Sequence, residues 1–233
     1  MILYVNGDSH SAGAEAVNSY AFAEDDPLYY GLGRKPHPDN IQASYGCDIA
    51  NRLYAILHTD AESASSNDRI IRTTREYLKE HTPDLIIIGW SSWEREEWLH
   101  DDVYWQVNAG GVGNDWPDAV KQQYESWLAT VDHKEKQLEQ HEKIWQLHQD
   151  LADIPHLFFN CFSSFSYPDQ RDWGDSYVEP YDLNYTYYHW LAQQGYKTVN
   201  PNSFHYKADA HRAWAEFLTN RLTKVLKESI ITQ

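Results

Sequence analysis

A serine near the start of the chain and a histidine near its end have the residue types needed for nucleophilic catalysis. Ser9 lies in Gly7-Asp8-Ser9-His10-Ser11, directly after the apolar run Ile2–Val5. Ligands of open α/β sheets bind outside the carboxyl ends of the strands, so a hydroxyl group at this place is suited to chemistry. The small residues that follow favour the start of a helix, whose unpaired backbone N–H groups would suit a developing oxyanion. A structural Gly-Asp-Ser turn is the alternative interpretation.

His205 is the candidate general base for this serine. It lies in Asn202-Ser203-Phe204-His205, shortly before the last predicted helix, Asp209–Leu226. A histidine on the loop before a final helix can reach the carboxyl end of the first strand. Ser9 and His205 would then form a nucleophile and its base from opposite ends of the chain.

Composition narrows the class of protein. The chain has 233 residues, 42% of them hydrophobic, which suits one α/β domain over residues 1–233 with a packed core. A net charge of −16 argues against nucleic acid and anionic membranes as partners. Cys47 and Cys161 lack metal-ligand spacing and are expected to be reduced thiols. We see neither a signal peptide nor a transmembrane segment, and therefore expect a cytoplasmic protein.

Apolar runs alternate with amphipathic segments, a pattern typical of parallel βαβ units in a three-layer α/β/α fold. Residues 99–183 are rich in aromatic and loop-forming residues and are expected to form a helical and loop insertion region. The predicted strands are Ile2–Val5, Leu85–Ile88 and Leu157–Phe162, with a short extended element near His58–Ala61. The predicted helices are Tyr45–Leu57, Ser66 or Asn67 to His81, Ala119–Thr130, Lys134–Ala152, Tyr185–Gln194 and Asp209–Leu226.

These blocks resemble the SGNH (GDSL-type) hydrolase family. Gly7-Asp8-Ser9 matches the family's first block, and His205 falls on the histidine of its last block, which usually reads Asp-x-x-His. The run Pro83–Ile88 looks like the family's third central strand. The resemblance implies a flavodoxin-like parallel sheet of about five strands. It also implies that Ser9 is the nucleophile and His205 the general base.

The family's oxyanion donors have partial matches. The segment Ala64–Asn67 stands where the family has a glycine backbone donor, so the N–H of Ala64 could serve, with Asn67 as an extra donor or only a helix cap. The family's Gly-x-Asn-Asp block is absent after the strand, where Ser91 or Ser92 could replace its asparagine. A later Gly113-Asn114-Asp115 follows no apolar strand, and we interpret it as a loop.

The family's aspartate is replaced by Asn202, which could orient His205 but would stabilise its protonated form poorly. Three possibilities remain open: a Ser9–His205 dyad, another carboxylate such as Asp209, or loss of hydrolysis. His211, six residues after His205, matches the family's second histidine and is expected to be structural because it enters a helix with an apolar stripe.

A looser resemblance links the chain to SGNH-like proteins of marine cyanophages, through Ser66-Asn67-Asp68-Arg69-Ile70, Trp90-Ser91-Ser92-Trp93-Glu94-Arg95-Glu96 and His211-Arg212-Ala213-Trp214-Ala215. Arg95 falls near the carboxyl edge of the predicted sheet. It could bind an acidic group of a substrate, whereas the acidic residues around it are typical of a solvated helix start.

The sequence therefore predicts a serine-dependent hydrolase of a small-molecule or carbohydrate ester, without a metal ion or organic cofactor. A catalytically weak binding protein of the same fold and an O-acyltransferase are the alternatives. The oligomeric state, the acyl group and the alcohol are left open by the sequence.

Overall fold

The computed structural model describes residues 1–19, 35–108, 116–168 and 171–231. The predicted loop at 113–115 lies outside the described residues. In the described parts the strands are β1 (Ile2–Gly7), β2 (Ile56–Thr59), β3 (Leu85–Trp90), β4 (Glu96–His100), β5 (Val103–Val107) and β6 (His156–Asn160). The helices are α1 (Pro38–Gln42), α2 (Tyr45–Leu53), α3 (Asn67–Glu80), α4 (Asp118–Thr130), α5 (His133–Asp150), α6 (Tyr187–Gln193) and α7 (Ala208–Ile231).

Four strands form a parallel sheet in the order β2-β1-β3-β6. Val5 lies between Thr59 of β2 and Ile87 of β3, and the register continues to Gly7 opposite Gly89. This order matches the first four strands of the flavodoxin-like arrangement, so the α/β/α prediction is confirmed. The chain reverses its direction of winding between β1 and β3. The carboxyl ends of these two strands therefore form the crevice in which such sheets bind ligands.

Side chains alternate between the two faces of the sheet, and each face is covered by helices. Leu3, Ile87 and Phe159 pack with residues of α2, α6 and α7 on one face. Tyr4 and Ile88 pack with residues of α3 and α5 on the other face. Every residue of β3 is buried, which is typical of a central parallel strand. In the described part of the chain, no helix combines the length and the apolar character required to cross a membrane.

The structure differs from the sequence prediction at several points. The parallel sheet has four described strands where about five were expected, and β2 covers Ile56–Thr59 rather than His58–Ala61. Helix α2 ends at Leu53 rather than Leu57, because Tyr54 takes a left-handed backbone conformation (φ 51°) and the chain then enters β2. Residues 96–107 contain the antiparallel hairpin β4–β5, where we expected irregular chain and a helix start. Residues 8–16 form hydrogen-bonded turns and not the helix expected after Ser9.

The hairpin supports a small aromatic core of its own beside the main sheet. Val107, Trp116, Val120 and Tyr124 are buried together, and three further tryptophan side chains, Trp98, Trp105 and Trp127, pack against them. Gln106 of β5 accepts a hydrogen bond from the backbone N–H of Ser66 (3.0 Å). This contact ties the hairpin to the start of α3, next to the carboxyl edge of the parallel sheet.

Candidate active site

Ser9 reaches the carboxyl edge of the sheet through a turn that requires glycine at position 7. Gly7 has a φ of 154°, and a Cβ atom added to it would lie 2.1 Å from Ser11 Oγ and 2.7 Å from the carbonyl oxygen of Gly89. A larger residue would push apart β1, β3 and the turn that follows. Backbone bonds from Ala12 to Asp8 and from Ala14 to Ser9 then close the turn (both 2.9 Å).

The structure brings Ser9 and His205 together. Ser9 Oγ lies 2.9 Å from His205 Nε2, although 196 residues of chain separate the two. His205 comes from the loop before α7, and both residues line one cavity of about 530 Å³ together with Ala64, Arg95, Phe162 and Phe204. The serine lines this cavity and is 6% exposed, so it has limited contact with solvent.

Glu15 provides the carboxylate partner of His205. Its Oε2 lies 2.5 Å from His205 Nδ1 and accepts a hydrogen bond from Ser203 Oγ at 2.6 Å. Ser203 Oγ in turn accepts a hydrogen bond from the backbone N–H of His205 (3.0 Å). When Nδ1 carries the proton and donates to Glu15, Nε2 is free to accept the proton of Ser9.

We expected Asn202 beside His205, but Glu15, from the other end of the chain, lies there instead. Asn202 is exposed, and its backbone N–H donates to Asn200 Oδ1 (2.9 Å). Asp209 accepts a hydrogen bond from the N–H of Ala210 at the start of α7. Sequence reasoning missed Glu15 because we searched for a carboxylate only near His205. The signal in the sequence was an acidic residue six positions after Ser9, in the turn that carries the nucleophile.

Burial, neighbouring charges and hydrogen bonds shift the pKa values of His205 and Glu15. Burial is the largest cause of the lowered pKa of His205, and the nearby His10 lowers it further, whereas Glu15 opposes the shift. Burial would raise the pKa of Glu15, but hydrogen bonds with Ser203 and His205 outweigh it and lower that pKa. Glu15 is therefore ionised and His205 is neutral at neutral pH, which are the states that a carboxylate and a general base require.

Glu15 also occupies an unusual backbone conformation. Its φ is 62°, in the left-handed region that residues other than glycine rarely adopt. Such a conformation costs on the order of 1 kcal/mol and persists where surrounding contacts hold it. The contacts of Glu15 with Ser203 and His205 are of this kind.

The candidate oxyanion donors Ala64 and Asn67 differ in whether they line the cavity and in their hydrogen-bond partners. Ala64 lines the cavity with Ser9 and has a φ of 63°, in the left-handed region that residues other than glycine rarely adopt. Asn67 does not cap α3, since Ser66 Oγ accepts from the N–H of Arg69. Asn67 Oδ1 accepts from the N–H of Ser91 (2.9 Å), and its buried Nδ2 has no hydrogen-bond partner among the described residues.

The two serines after β3 have different surroundings. Ser91 is 3% exposed; its hydroxyl donates to Asp8 Oδ2 (3.0 Å) and accepts from Arg95 (2.8 Å), so its proton is already engaged. Ser92 lines the cavity, and its hydroxyl donates to Glu94 at the exposed rim (3.2 Å). Of the two, Ser92 is the one whose hydroxyl can turn toward a bound ester.

His211 is close to the site in sequence but sealed from the cavity in space. It is 1% exposed, and its Nδ1 accepts a hydrogen bond from the backbone N–H of Tyr45 (3.3 Å). Tyr187 Oη lies 3.2 Å from its Nε2. Burial lowers the pKa of His211 to about 3, so the ring is neutral and structural, as its apolar helix suggested.

Asp8, His10 and Cys161 place three buried ligand atoms within 4.8 Å of one another. Asp8 is already paired with His10 (3.0 Å) and with the guanidinium group of Arg95 (3.3 Å). Burial raises the pKa of the Cys161 thiol well above its usual range, so the sulfur keeps its proton. The guanidinium group of Arg95 beside Asp8 places a positive charge where a metal ion would bind, which disfavours a cation at this position.

No family model and no curated protein matches this chain. Among solved structures it is similar to a protein of the G-D-S-L family from Desulfitobacterium hafniense DCB-2 (12% identity, TM-score 0.49, covering 95% of this chain and 99% of that one). An acetyl xylan esterase, Est2A, from the rumen bacterium Butyrivibrio proteoclasticus is also similar (13% identity, TM-score 0.46, covering 97% and 64%).

A third similar structure is a carbohydrate esterase family 2 enzyme with a carbohydrate-binding domain from Corynascus thermopiles (Myceliophthora fergusii), with 13% identity, a TM-score of 0.48 and coverage of 97% and 66%. The chain thus spans about two thirds of the length of both esterases. All three TM-scores lie below 0.5, so these similarities assign no activity to this chain.

Proposed function

We propose that this chain is a serine-dependent hydrolase of ester bonds, with Ser9 as nucleophile, His205 as general base and Glu15 as the carboxylate that orients His205. The observation that carries the proposal is the continuous contact from Ser9 Oγ through both ring nitrogens of His205 to Glu15, at 2.9 Å and 2.5 Å. A nucleophile, a base and an orienting group within hydrogen-bond reach are the recognised signature of this chemistry.

The reaction follows from the proton positions. His205 Nε2 takes the proton of Ser9 while Oγ attacks the acyl carbon, and the imidazolium that forms is stabilised by Glu15. His205 then gives that proton to the leaving alcohol, and an acyl group remains on Ser9. Water, deprotonated by His205, attacks this acyl-enzyme, and His205 returns the proton to Ser9 Oγ as the bond to the acyl group breaks and the acid leaves. A sugar hydroxyl in place of water would make the same site an O-acyltransferase.

The oxyanion of each tetrahedral intermediate would be held by the backbone N–H groups of Ser9 and Ala64. A third donor would come from a side chain. Asn67 Nδ2 is buried without a partner among the described residues, and the Ser92 hydroxyl lines the cavity, so both remain candidates. Ser91 is less suited because its proton is donated to Asp8.

The presence of Glu15 also bears on the alternative of a catalytically weak binding protein. That alternative rested on Asn202, a neutral residue where the family has an acid. A carboxylate on His205 Nδ1 supplies the charge that Asn202 lacks, which supports hydrolysis over binding alone.

A panel of short-chain and sugar acyl esters tests the proposal. We expect the wild-type protein to hydrolyse at least one ester, and Ser9→Ala to lower its turnover by about 10⁴ or more. Ser126→Ala, on the exposed face of α4, is the matched control and should leave turnover unchanged. A Ser9→Ala variant that keeps more than about a tenth of the wild-type rate would exclude Ser9 as the nucleophile.

A further inference from the structure

Arg95 connects the loops that follow three neighbouring strands. Its Nη1 donates to Ser91 Oγ at 2.8 Å, to the carbonyl oxygen of Ser65 at 3.2 Å and to Asp8 Oδ2 at 3.3 Å. These acceptors follow β3, β2 and β1 respectively. Because Asp8 is 1% exposed, the guanidinium group is held by a buried carboxylate and has a defined orientation.

The rest of the guanidinium group carries further N–H donors, and the Arg95 side chain is 24% exposed. Nε and Nη2 of Arg95 have no hydrogen-bond partner among the described residues, and the side chain lines the cavity beside Ser9. Among the described residues that line this cavity, Arg95 is the one with a permanent positive charge. An arginine fixed on one side and unpartnered on the other suits planar recognition of a carboxylate.

Two carboxylates near Arg95 limit the strength of such recognition. Asp8 is engaged by Arg95, His10 and Ser91, so it offsets part of the positive charge. Glu94 lies at the exposed rim and accepts the hydroxyl proton of Ser92. We therefore expect selectivity for an anion to come chiefly from hydrogen-bond geometry and to be moderate in size.

The position of His205 determines which half of the ester can reach Arg95. His205 must protonate the leaving alcohol, so the alcohol lies on the side of His205 and of Phe204, which precedes it. Arg95 contacts Ser65, next to the proposed oxyanion donor Ala64, and shares no hydrogen-bond partner with His205 among the described residues. The acyl group is then the half that extends towards Arg95.

We infer that the site takes esters whose acyl group carries a second carboxylate, and that Arg95 binds this carboxylate. This inference rests on the proposed function and names its substrate class. It makes Arg95 a specificity-determining residue that contacts the part of the acyl chain away from the reacting carbonyl.

Two esters of the same size test this inference. They are the 4-nitrophenyl monoester of adipic acid and the same ester with its free carboxylate replaced by a carboxamide. We expect the wild-type protein to hydrolyse the carboxylate ester with about tenfold or higher kcat/KM, as a difference mainly in KM. Raising the salt concentration should reduce the preference, since screening weakens the interaction with an accessible cation.

Variants of Arg95 separate recognition from a merely structural effect. Arg95→Gln should abolish most of the preference, and Arg95→Lys should restore part of it. Arg52→Gln removes the same charge from an exposed pair with Asp48 on α2 and should leave the preference intact. Each variant is compared by the ratio of kcat/KM for the two esters, because a general loss of activity cancels in that ratio.

Equal kcat/KM for the two esters in the wild-type protein would overturn the inference while leaving the proposed function in place. So would an Arg95→Gln variant that lowers both rates by the same factor, since Arg95 would then only position the loops. If neither ester is hydrolysed and a fluorophosphonate does not label Ser9, the proposed function itself fails.

Discussion

The two histidines at the start of α7 and just before it show what separates a candidate catalytic group from a structural one. His205 and His211 lie six residues apart, and burial lowers the pKa of both. His205 lines the cavity, with Ser9 on one ring nitrogen and Glu15 on the other. His211 faces Tyr45 and Tyr187 in the core. A lowered pKa is therefore common to both histidines and does not distinguish them. They differ in their hydrogen-bond partners and in access to the cavity.

The largest expected effect follows from removing each histidine in turn. His205→Ala should lower ester turnover by about 10³ to 10⁴, because the base that activates Ser9 is lost. His211→Ala should retain turnover within a few-fold at temperatures below its melting point. It should lose about 2 to 4 kcal/mol of unfolding free energy through its cavity and lost hydrogen bonds. Steady-state kinetics and urea unfolding of both variants measure these effects.

The pH dependence of stability sharpens the same comparison. The folded-state pKa of His211 is about 3, below the unfolded value near 6.5, so the unfolded chain binds more protons between those limits. Stability should therefore fall as pH decreases through this range, and His211→Ala should show a shallower fall than the wild type. A selective loss of turnover in His211→Ala, with normal turnover in His205→Ala, would mean that the two roles are reversed.

The second largest loss of turnover is expected when Glu15 is replaced. Glu15→Gln keeps the shape of the side chain but removes the charge that stabilises the imidazolium, and turnover should fall by about 10² to 10⁴. The upper end of this range is the loss of about 10⁴ that follows when the aspartate of a serine protease triad is replaced by its amide. Because Glu15 raises the pKa of His205, its removal should also move the acidic limb of the kcat/KM profile to lower pH.

A matched control for this substitution is Glu94→Gln, which changes a carboxylate at the exposed rim of the same cavity. It should change turnover much less than Glu15→Gln does. Equal effects of the two substitutions would indicate that Glu15 acts only through the general charge of the site. An unchanged pH profile in Glu15→Gln would contradict its contact with His205.

The smallest effect is expected at Asn202. Its exposed position leaves Glu15 as the carboxylate beside His205, so Asn202→Asp should change turnover by less than about threefold. The sequence alone, by contrast, predicts that Asn202→Asp raises turnover, because it restores an acid at this position. A tenfold or larger rise, measured on an activated ester, would place residue 202 next to His205 and count against Glu15.

The sequence predicted the parallel strands well because continuous apolar runs are a strong signal for buried strands. Leu85–Ile88 and Leu157–Phe162 correspond to β3 and β6 within two residues. The hairpin β4–β5 was missed because its strands, Glu-Glu-Trp-Leu-His and Val-Tyr-Trp-Gln-Val, mix polar and apolar residues without regular alternation on a half-exposed surface. Such a pattern gives no clear period of burial.

The partnership of Ser9 and His205 was predictable from a motif at each end of the chain, but Glu15 was not. Its role depends on how the turn over residues 8–16 folds back under the loop at 203–205, a tertiary contact between segments 188 residues apart. Asn202 was chosen for its spacing from His205. Spacing along the chain does not determine which side chain reaches a ring nitrogen.

Covalent labelling with a fluorophosphonate tests the central claim most directly, because the reagent reports an activated serine without requiring the natural substrate. Mass spectrometry of the labelled wild-type protein should place one adduct on Ser9, with much slower labelling in His205→Ala and Glu15→Gln and normal labelling in His211→Ala. An adduct on another serine, or labelling of Ser9 at the same rate after loss of His205, would contradict the account.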